Sequence, residues 1–334
     1  MACLTVKFLD NGGTTDPTLN LALEEHALLT LDLSDSYVLF YVNRPSIIIG
    51  KHQNTIEEID ADFVHEHDIT VVRRISGGGA VYHDLGNLSF SFITRYTPQR
   101  FNNYAEFTGP VVEALRELGV AAERTGRNDI VVDGRKVSSN AQVVRGERMF
   151  SHGTLLLSSN LDDVSRALKP KPGKVESKGI QSVRSRVANI SEFLPAPLPM
   201  ADFRAALVAH LFPGGGSVPT HELSDEDHRR VEALADAKYR TWDWNYGESP
   251  PFNLQRTRRF ASGEVDVRLY VEDGLIKTIR FFGDFFSSRE IGDLERGLTG
   301  IRYRRDDLAA ALRAAEAGSF VSGVSEAELL ALLY

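Results

Sequence analysis

The chain has 334 residues, 42% of them hydrophobic and 25% charged, which is enough for one large and one small domain with a sizeable core. Its net charge of −8 argues against general nucleic-acid binding, and no apolar run approaches the roughly 18–20 residues that a membrane span needs. A single cysteine, Cys3, excludes an intrachain disulfide and a cysteine-built zinc site; no signal peptide is visible in the first residues, so the chain reads as cytoplasmic.

Leu4–Phe8 reads as a strand. Thr15 or Asp16 then caps a helix with Pro17 in its first turn, running through NLALEEHALL. Tyr37–Asn43 and Ile47–Gly50 are strand-like runs broken by Arg44-Pro45, and a short helix is predicted around Ile59–His67. Ile69–Val72 and Leu88–Thr94, rich in β-branched and aromatic residues, read as strands. Tyr104–Leu118 is an amphipathic helix with Gly119 at its C-cap. Asp133-Gly134 between β-branched residues signals a tight hairpin, and this places Lys136 early on the returning strand.

Met149–Leu157 reads as strand, Leu161–Leu168 as helix, Leu194–Pro199 and Phe212–Pro219 as loops, and Ser224–Tyr239 as a charged helix. The pattern changes near Gly247–Asn253, where we place a domain boundary. Phe260–Val271 and Leu275–Phe282 follow as a hairpin around Glu272-Asp273-Gly274, and helices finish the chain. Strands and helices mix without a regular βαβ beat. The expected fold is therefore α+β with mixed and antiparallel sheets, a larger domain over 1–246 and a small α+β domain over 253–334.

The segment Arg73–Phe92, RRISGGGAVYHDLGNLSFSF, concentrates chemistry. Three successive glycines, Gly77, Gly78 and Gly79, are a poor way to build a strand and suit a backbone that must approach something closely. Bare N–H groups beside Arg73 and Arg74 form a seat for phosphate or carboxylate oxygens, with His83, Asp84 and Asn87 close behind. The pattern is neither a Walker loop nor a Rossmann fingerprint, and its plain alternative is a flexible hairpin tip. In Gly126–Ala141, GRNDIVVDGRKVSSNA, a lone lysine on a strand reads as a solvated edge charge. The company of Asn128, Asp129 and the small polar residues after it moves Lys136 toward a ligand. His152, Gly153 and Thr154 in SHGTLLL divide evenly between a structural and a ligand-facing reading. Arg166–Arg186 carries seven basic residues against Glu176 and suits closure over a polyanion or docking of an acidic partner.

In this order, RRISGGGAVYHDLGN, GRNDIVVDGRKVS, SHGTLLL and KGIQSVRSRVANI resemble lipoate–protein ligase A, and the C-terminal segment resembles the accessory domain of the bacterial two-domain form. The resemblance implies a catalytic fold shared with biotin protein ligases. It implies ATP, Mg²⁺ and lipoate, a lipoyl-AMP intermediate with release of pyrophosphate, and acyl transfer to a lysine of lipoyl domains on 2-oxoacid dehydrogenase E2 subunits and the glycine-cleavage H protein. The chain is expected to act as a monomer.

Carried over by position, Arg74 and Gly79–Tyr82 match ATP contacts, the loop Arg73–Gly79 matches one that folds over lipoate, and Lys136 matches the lysine that touches lipoate and the adenylate phosphate. The segment Lys169–Arg184 matches one that closes on the adenylate. The expected adenylate site thus comprises Arg74, Gly77, Gly78, Gly79, Ala80, Val81, Tyr82, His83, Asn128, Asp129, Lys136, Ser138, Ala141, His152, Gly153 and Thr154. The expected lipoate contacts are Arg73, Arg74, Ser76, Gly77, Lys136 and His152, and Asp129 is a candidate metal contact. Ser139 stands where the family has glycine, a weakening if that backbone needs positive φ.

Two rivals share the fold. An ATP-independent octanoyl or lipoyl transferase would use a cysteine nucleophile, for which Cys3 is badly placed. A non-catalytic acyl-binding relative would keep the pocket and lack turnover. A biotin ligase lacks support because no GRGRxGR-like loop is present.

Overall fold

Apolar strands too hydrophobic to face water on either side set the architecture. The computed structural model of the chain describes residues 6–126, 128–168, 186–214, 216–246, 253–272 and 274–334. The basic segment Lys169–Arg184, the junction Ser249–Pro251 and most of the expected boundary Gly247–Asn253 lie outside the described residues.

Among the described residues a mixed eight-stranded sheet runs β11-β1-β2-β6-β10-β9-β8-β7. Its strands are β1 Val6–Leu9, β2 Ser36–Val42, β6 Asn87–Arg95, β7 Glu123–Thr125, β8 Asp129–Val132, β9 Arg135–Arg145, β10 Arg148–Leu156 and β11 Thr220–His221. A small sheet, β4-β3-β5, is built from β3 Ser46–Ile49, β4 Thr70–Arg73 and β5 Val81–His83.

One face of the large sheet carries Phe40, Phe90, Ile130 and Leu155 into a core with helix α4, Tyr104–Glu117, and the helix Met200–Leu211. The other face packs Leu39, Tyr41 and Phe150 against helix α1, Pro17–Thr30, and against Ile48 and Val72 of the small sheet. Two sheets facing each other over α1 leave space at one end, and the candidate site lies there. Helix α1 begins where Asp16 Oδ1 accepts the Thr18 N–H at 2.9 Å, with Pro17 at the position that has no N–H to satisfy.

A third sheet, β12 Leu254–Phe260, β13 Gly263–Glu272 and β14 Leu275–Gly283, packs its apolar face on C-terminal helices around Val267, Leu269, Leu294 and Leu308. The α+β class with mixed and antiparallel sheets is what the structure shows.

Three local features depart from or add to the expectations. The helix expected around Ile59–His67 is present as α3, Ala61–Glu66, whose N-terminus the Asp60 carboxylate caps by accepting the Phe63 N–H at 3.0 Å, but a separate short helix, α2 Thr55–Glu58, precedes it. The charged helix over Ser224–Tyr239 is α-helical only over Asp225–Leu234. It then widens into a π turn at Ala235–Tyr239, which turns Tyr239 inward so that its hydroxyl donates to Glu25 at 2.6 Å. Strand β12 carries no strand signal of its own. Its sequence LQRTRRF is polar at almost every position because it lies at a sheet edge.

The third sheet reaches the first two through a charged and an aromatic contact. Glu290 lies between Lys51 at 2.5 Å and Arg145 at 2.6 Å. Gly283 donates its N–H to His52 O at 2.8 Å, and the Phe285 ring stacks on the His52 imidazole at 4.5 Å. Burial lowers the Lys51 ammonium and the Arg145 charge adds to this, while Lys51 and Arg145 hold Glu290 below the ordinary carboxylate range against its own burial. Glu290→Ala leaves two cations facing each other and should loosen this docking. Hydrogen exchange should accelerate at Lys51–Gln53 and Gly283–Phe286 while the core strands β2, β6 and β10 stay protected.

Candidate active site

A cavity of 570 Å³ opens between the large and small sheets and is bounded on its third side by the C-terminal sheet. Leu21, Tyr41, Ile48 and Val81 give it an apolar stretch of wall. Gly78, Gly79, Ala80, Tyr82 and His83 contribute from the glycine loop and β5. Asn128, Asp129, Lys136, Ser138, Ser139, Asn140 and Ala141 contribute from β8 and β9, and His152, Gly153 and Thr154 from β10. Lys136 and the glycine loop, 57 positions apart at their nearest (136 − 79), thus share one hollow.

Arg74 organises the loop. Its Nε donates to Ser76 Oγ at 2.9 Å, Nη1 to Ile48 O at 3.0 Å, and Nη2 to Gly77 O and Gly79 O at 2.7 and 2.9 Å. Burial pulls the guanidinium down to about 10, which leaves it charged at neutral pH. Gly78 takes φ +94°, and a Cβ on Gly77 would stand 2.4 Å from Phe285 O. Gly78 therefore serves a turn around Arg74, and Gly77 a close approach by the C-terminal sheet, while a side chain at Gly79 would meet open space.

Arg73 is placed differently from the expected anion seat. Its side chain is spent on Gly50 O, Gln53 O, Thr55 Oγ1, Trp244 O and Asn245 O, and it is absent from the cavity wall. Alternation along the strand end sends Arg73 and Arg74 to opposite faces, so only one of them reaches the hollow. Ser76 and Gly77 also lie behind the wall, supporting it rather than forming it.

His152 is held at both ring nitrogens. Nε2 lies 2.7 Å from Ser76 Oγ, and Nδ1 lies 3.1 Å from a carboxylate oxygen of Glu24, a glutamate of helix α1 with 1% exposure. The chain Glu24–His152–Ser76–Arg74 thus ties the helix, β10 and the glycine loop together. His83 Nδ1 receives the Asn43 Nδ2 amide at 3.0 Å, and its buried Nε2 has no protein partner. Burial, aided by the Arg74 charge and His152, pushes His83 down to about 3, so it is a neutral imidazole with a donor to spare.

Lys136 sits just beyond a turn in which Asp133 and Gly134 both take positive φ, 49° and 73°. A register shift between Ile130 and Val131 opposes Ile130 to Ser138 and Val131 to Lys136, so Val137 is an inserted residue. The bulge sends Val137 into the core and Lys136 to the cavity. Lys136 Nζ pairs with Asp129 at 2.9 Å. The chain returning at Arg186–Ala188 bonds the backbone of Lys136 on both sides, Lys136 N to Arg186 O at 2.7 Å and Ala188 N to Lys136 O at 3.0 Å. Ser139 lies in regular strand opposite Asp129 and has no positive φ, so a side chain there imposes no backbone strain.

Among the described residues no group of three or more His, Cys, Asp or Glu could hold a metal unaided, and no helix is long and apolar enough to cross a membrane. The cavity also includes residues that sequence reasoning missed. Leu21, Tyr41 and Ile48 lie on elements whose apolar pattern reads simply as core. Arg259, Ala261, Ser262, Gly263, Asp284 and Phe286 come from the C-terminal sheet. Glu24 comes from helix α1, where Glu24, Glu25 and His26 stand side by side and the sequence does not say which of the two acids turns inward.

Residues 16–212 match the family described as lipoyl protein ligase A/B catalytic domain, and residues 249–333 match the family described as bacterial lipoate protein ligase C-terminus. The chain is similar to lipoate-protein ligase LplJ of Bacillus subtilis (strain 168), with 49% identity over 98% of this chain and 99% of the relative. Among solved structures it is similar to a bi-partite lipoate protein ligase from Thermoplasma acidophilum, described with its E2 lipoyl domain, at 28% identity and TM-score 0.65 over 75% of this chain and all of that one. It is also similar to a lipoate-protein ligase A bound with ATP, at 27% identity and TM-score 0.59 over 73% and 98% of the two chains.

The neutrality of His83 has a measurable consequence. Its proton affinity is depressed in the folded chain from 6.5 to about 3, so unfolding takes up a proton below pH 6.5. The stabilisation is complete above that value and is lost as pH falls toward 3. His83→Gln should flatten the fall in unfolding free energy across this window by up to about 1.4 kcal/mol per pH unit, read from urea denaturation at a series of pH values.

Proposed function

Because the chain belongs to the lipoate–protein ligase A family, we propose that this cavity is where it carries out ATP-dependent lipoate ligation, with Lys136 and the glycine loop holding the reacting groups. The observation that carries the reading is that Lys136, the glycine loop and an apolar stretch of wall meet in one hollow. An acyl adenylate needs those three things: cations for two anions, bare backbone for phosphate, and an apolar sleeve for an alkyl tail.

In the first half-reaction a carboxylate oxygen of lipoate attacks the α-phosphorus of ATP. The bond from that phosphorus to the bridging oxygen of the β-phosphate breaks, and pyrophosphate leaves with the electron pair. Both partners are negative. Lys136 offsets their repulsion and holds them in line, and its side chain, a mobile point charge, follows the oxygen as its charge changes. Asp129 keeps the ammonium on the cavity side until substrate competes for it.

Arg74 acts one step back: it sets the carbonyls of Gly77 and Gly79 so that the loop presents its backbone to the phosphates. The polar His83 edge and the Ser138–Ala141 strand then receive the nucleotide, and Leu21, Tyr41, Ile48 and Val81 receive the alkyl chain. His152, fixed by Glu24, closes the far side of Ser76. A Mg²⁺ arriving on the triphosphate needs only one or two protein carboxylates, which Asp129 on the cavity wall can offer, and it would neutralise the departing pyrophosphate.

In the second half-reaction the amine of an acceptor lysine attacks the acyl carbon, loses a proton, and AMP leaves. The acceptors are lipoyl domains. We assign 2-oxoacid dehydrogenase E2 subunits and the glycine-cleavage H protein as these acceptors, residues 1–246 as the catalytic domain and 253–334 as the accessory domain. ATP and such acceptors place the work in the cytoplasm.

Lys136→Ala should reduce lipoate-dependent pyrophosphate release by at least about 10³-fold with an unchanged circular dichroism spectrum. Normal pyrophosphate release by that variant would show that Lys136 does not hold the reacting anions.

A further inference from the structure

We propose that Arg259, carried by the edge strand β12 of the C-terminal sheet, is a catalytic residue of the adenylation half-reaction that grips the pyrophosphate half of ATP as it departs. The inference rests on the adenylation reading and adds to it a residue from outside the catalytic domain.

Three observations lead to it. Arg259 lines the same cavity as Lys136 and Gly78–Gly79, although 123 positions separate it from Lys136 (259 − 136). Among the described cationic residues of that wall, it is the one with no side-chain partner on the protein within hydrogen-bond distance. Arg74 donates to four protein oxygens, and Lys136 is paired with Asp129 at 2.9 Å. The acid facing Arg259 is Asp284, with Nη1–Oδ2 at 3.9 Å, too long for a hydrogen bond; Asp284 Oδ1 is occupied by the Glu264 backbone N–H. The approach of the C-terminal sheet is also tightly fixed where it matters. Phe285 O fills the space beside Gly77, Phe286 packs against Gly78, and Glu290 is clamped by Lys51 and Arg145. The contact that leaves no room for a side chain on Gly77 therefore also brings a guanidinium with no short protein hydrogen bond to the hollow.

The chemistry says what that guanidinium is for. A planar fork of N–H donors matches two phosphate oxygens at once, which a lysine cannot do. When the bond between the α-phosphorus and the bridging oxygen breaks, negative charge collects on the pyrophosphate. A preplaced cation there lowers the barrier because it interacts more strongly with the departing group than with bound ATP. The second half-reaction has no pyrophosphate, so Arg259 has no task in it.

The test separates the halves. Arg259→Ala and Arg259→Lys, at a half-exposed position, would be assayed for lipoate-dependent ATP–pyrophosphate exchange, with circular dichroism checking that each variant is folded. They would also be assayed for transfer from synthetic lipoyl-AMP to a lipoyl domain. The expected result is a loss of exchange of about 10²-fold in the alanine variant, carried mainly in kcat, with partial recovery in the lysine variant and unchanged transfer. Exchange at the unsubstituted rate would overturn the proposal. So would equal losses in both halves, which would mark a docking defect rather than contact with the leaving group. Failure of the function itself shows elsewhere, in an unsubstituted enzyme that releases no pyrophosphate with lipoate and ATP.

Discussion

The buried charge of Arg74 is the constraint from which the site follows. A guanidinium sealed from water must be fully hydrogen-bonded or it destabilises the fold; stripping partners from a buried ion costs about 3–5 kcal/mol. Arg74 finds its acceptors on Ile48, Ser76, Gly77 and Gly79, so satisfying one charge bends the glycine loop around it. Ser76 passes the constraint to His152 and His152 passes it to Glu24, so three separate elements are aligned by one chain of polar contacts. Each member is buried, and none can drift without leaving another unpaired.

The glycines then do two jobs that pull on the same atoms. Their small size allows a turn of positive φ around Arg74, and it also lets Phe285 and Phe286 lie directly on the loop. The loop is therefore a bearing surface for the C-terminal sheet as well as part of the cavity wall. The opposing wall is fixed by different physics. The Asp133-Gly134 turn and the bulge after Lys136 set which residue of β9 faces the hollow, and the returning chain at Arg186–Ala188 bonds Lys136 in place. Two walls, each stiffened by its own backbone hydrogen bonds, face each other across the cavity.

Composition and motif spacing make much of this legible. The alternation of apolar strands, the capped helix α1 and the Asp-Gly hairpin can be read directly because each depends on residues within a few positions of one another. The helix over Ser224–Tyr239 looks regular in sequence because its widening is driven by burial of Tyr239 against Glu25, a contact between distant segments. Strand β12 escapes because an edge strand in a polar setting has no hydrophobic alternation to detect. Arg73 and Arg74 look equivalent in sequence and differ completely in space, since adjacent positions on an extended chain point to opposite faces.

The order of residues is thus sufficient for the local chemistry: which backbone can turn tightly, where a lysine follows a hairpin, and which four motifs travel together as the mark of this ligase family. Which side chains share the hollow is a matter of packing. Packing withdraws Arg73, brings in Leu21 and Tyr41 from elements that read as plain core, sets Glu24 behind His152, and adds Arg259, Asp284 and Phe286 from a sheet far along the chain. The reason is physical. Propensity and spacing act between near neighbours, whereas a cavity is the space left over when distant surfaces pack, and no short stretch of residues encodes that remainder.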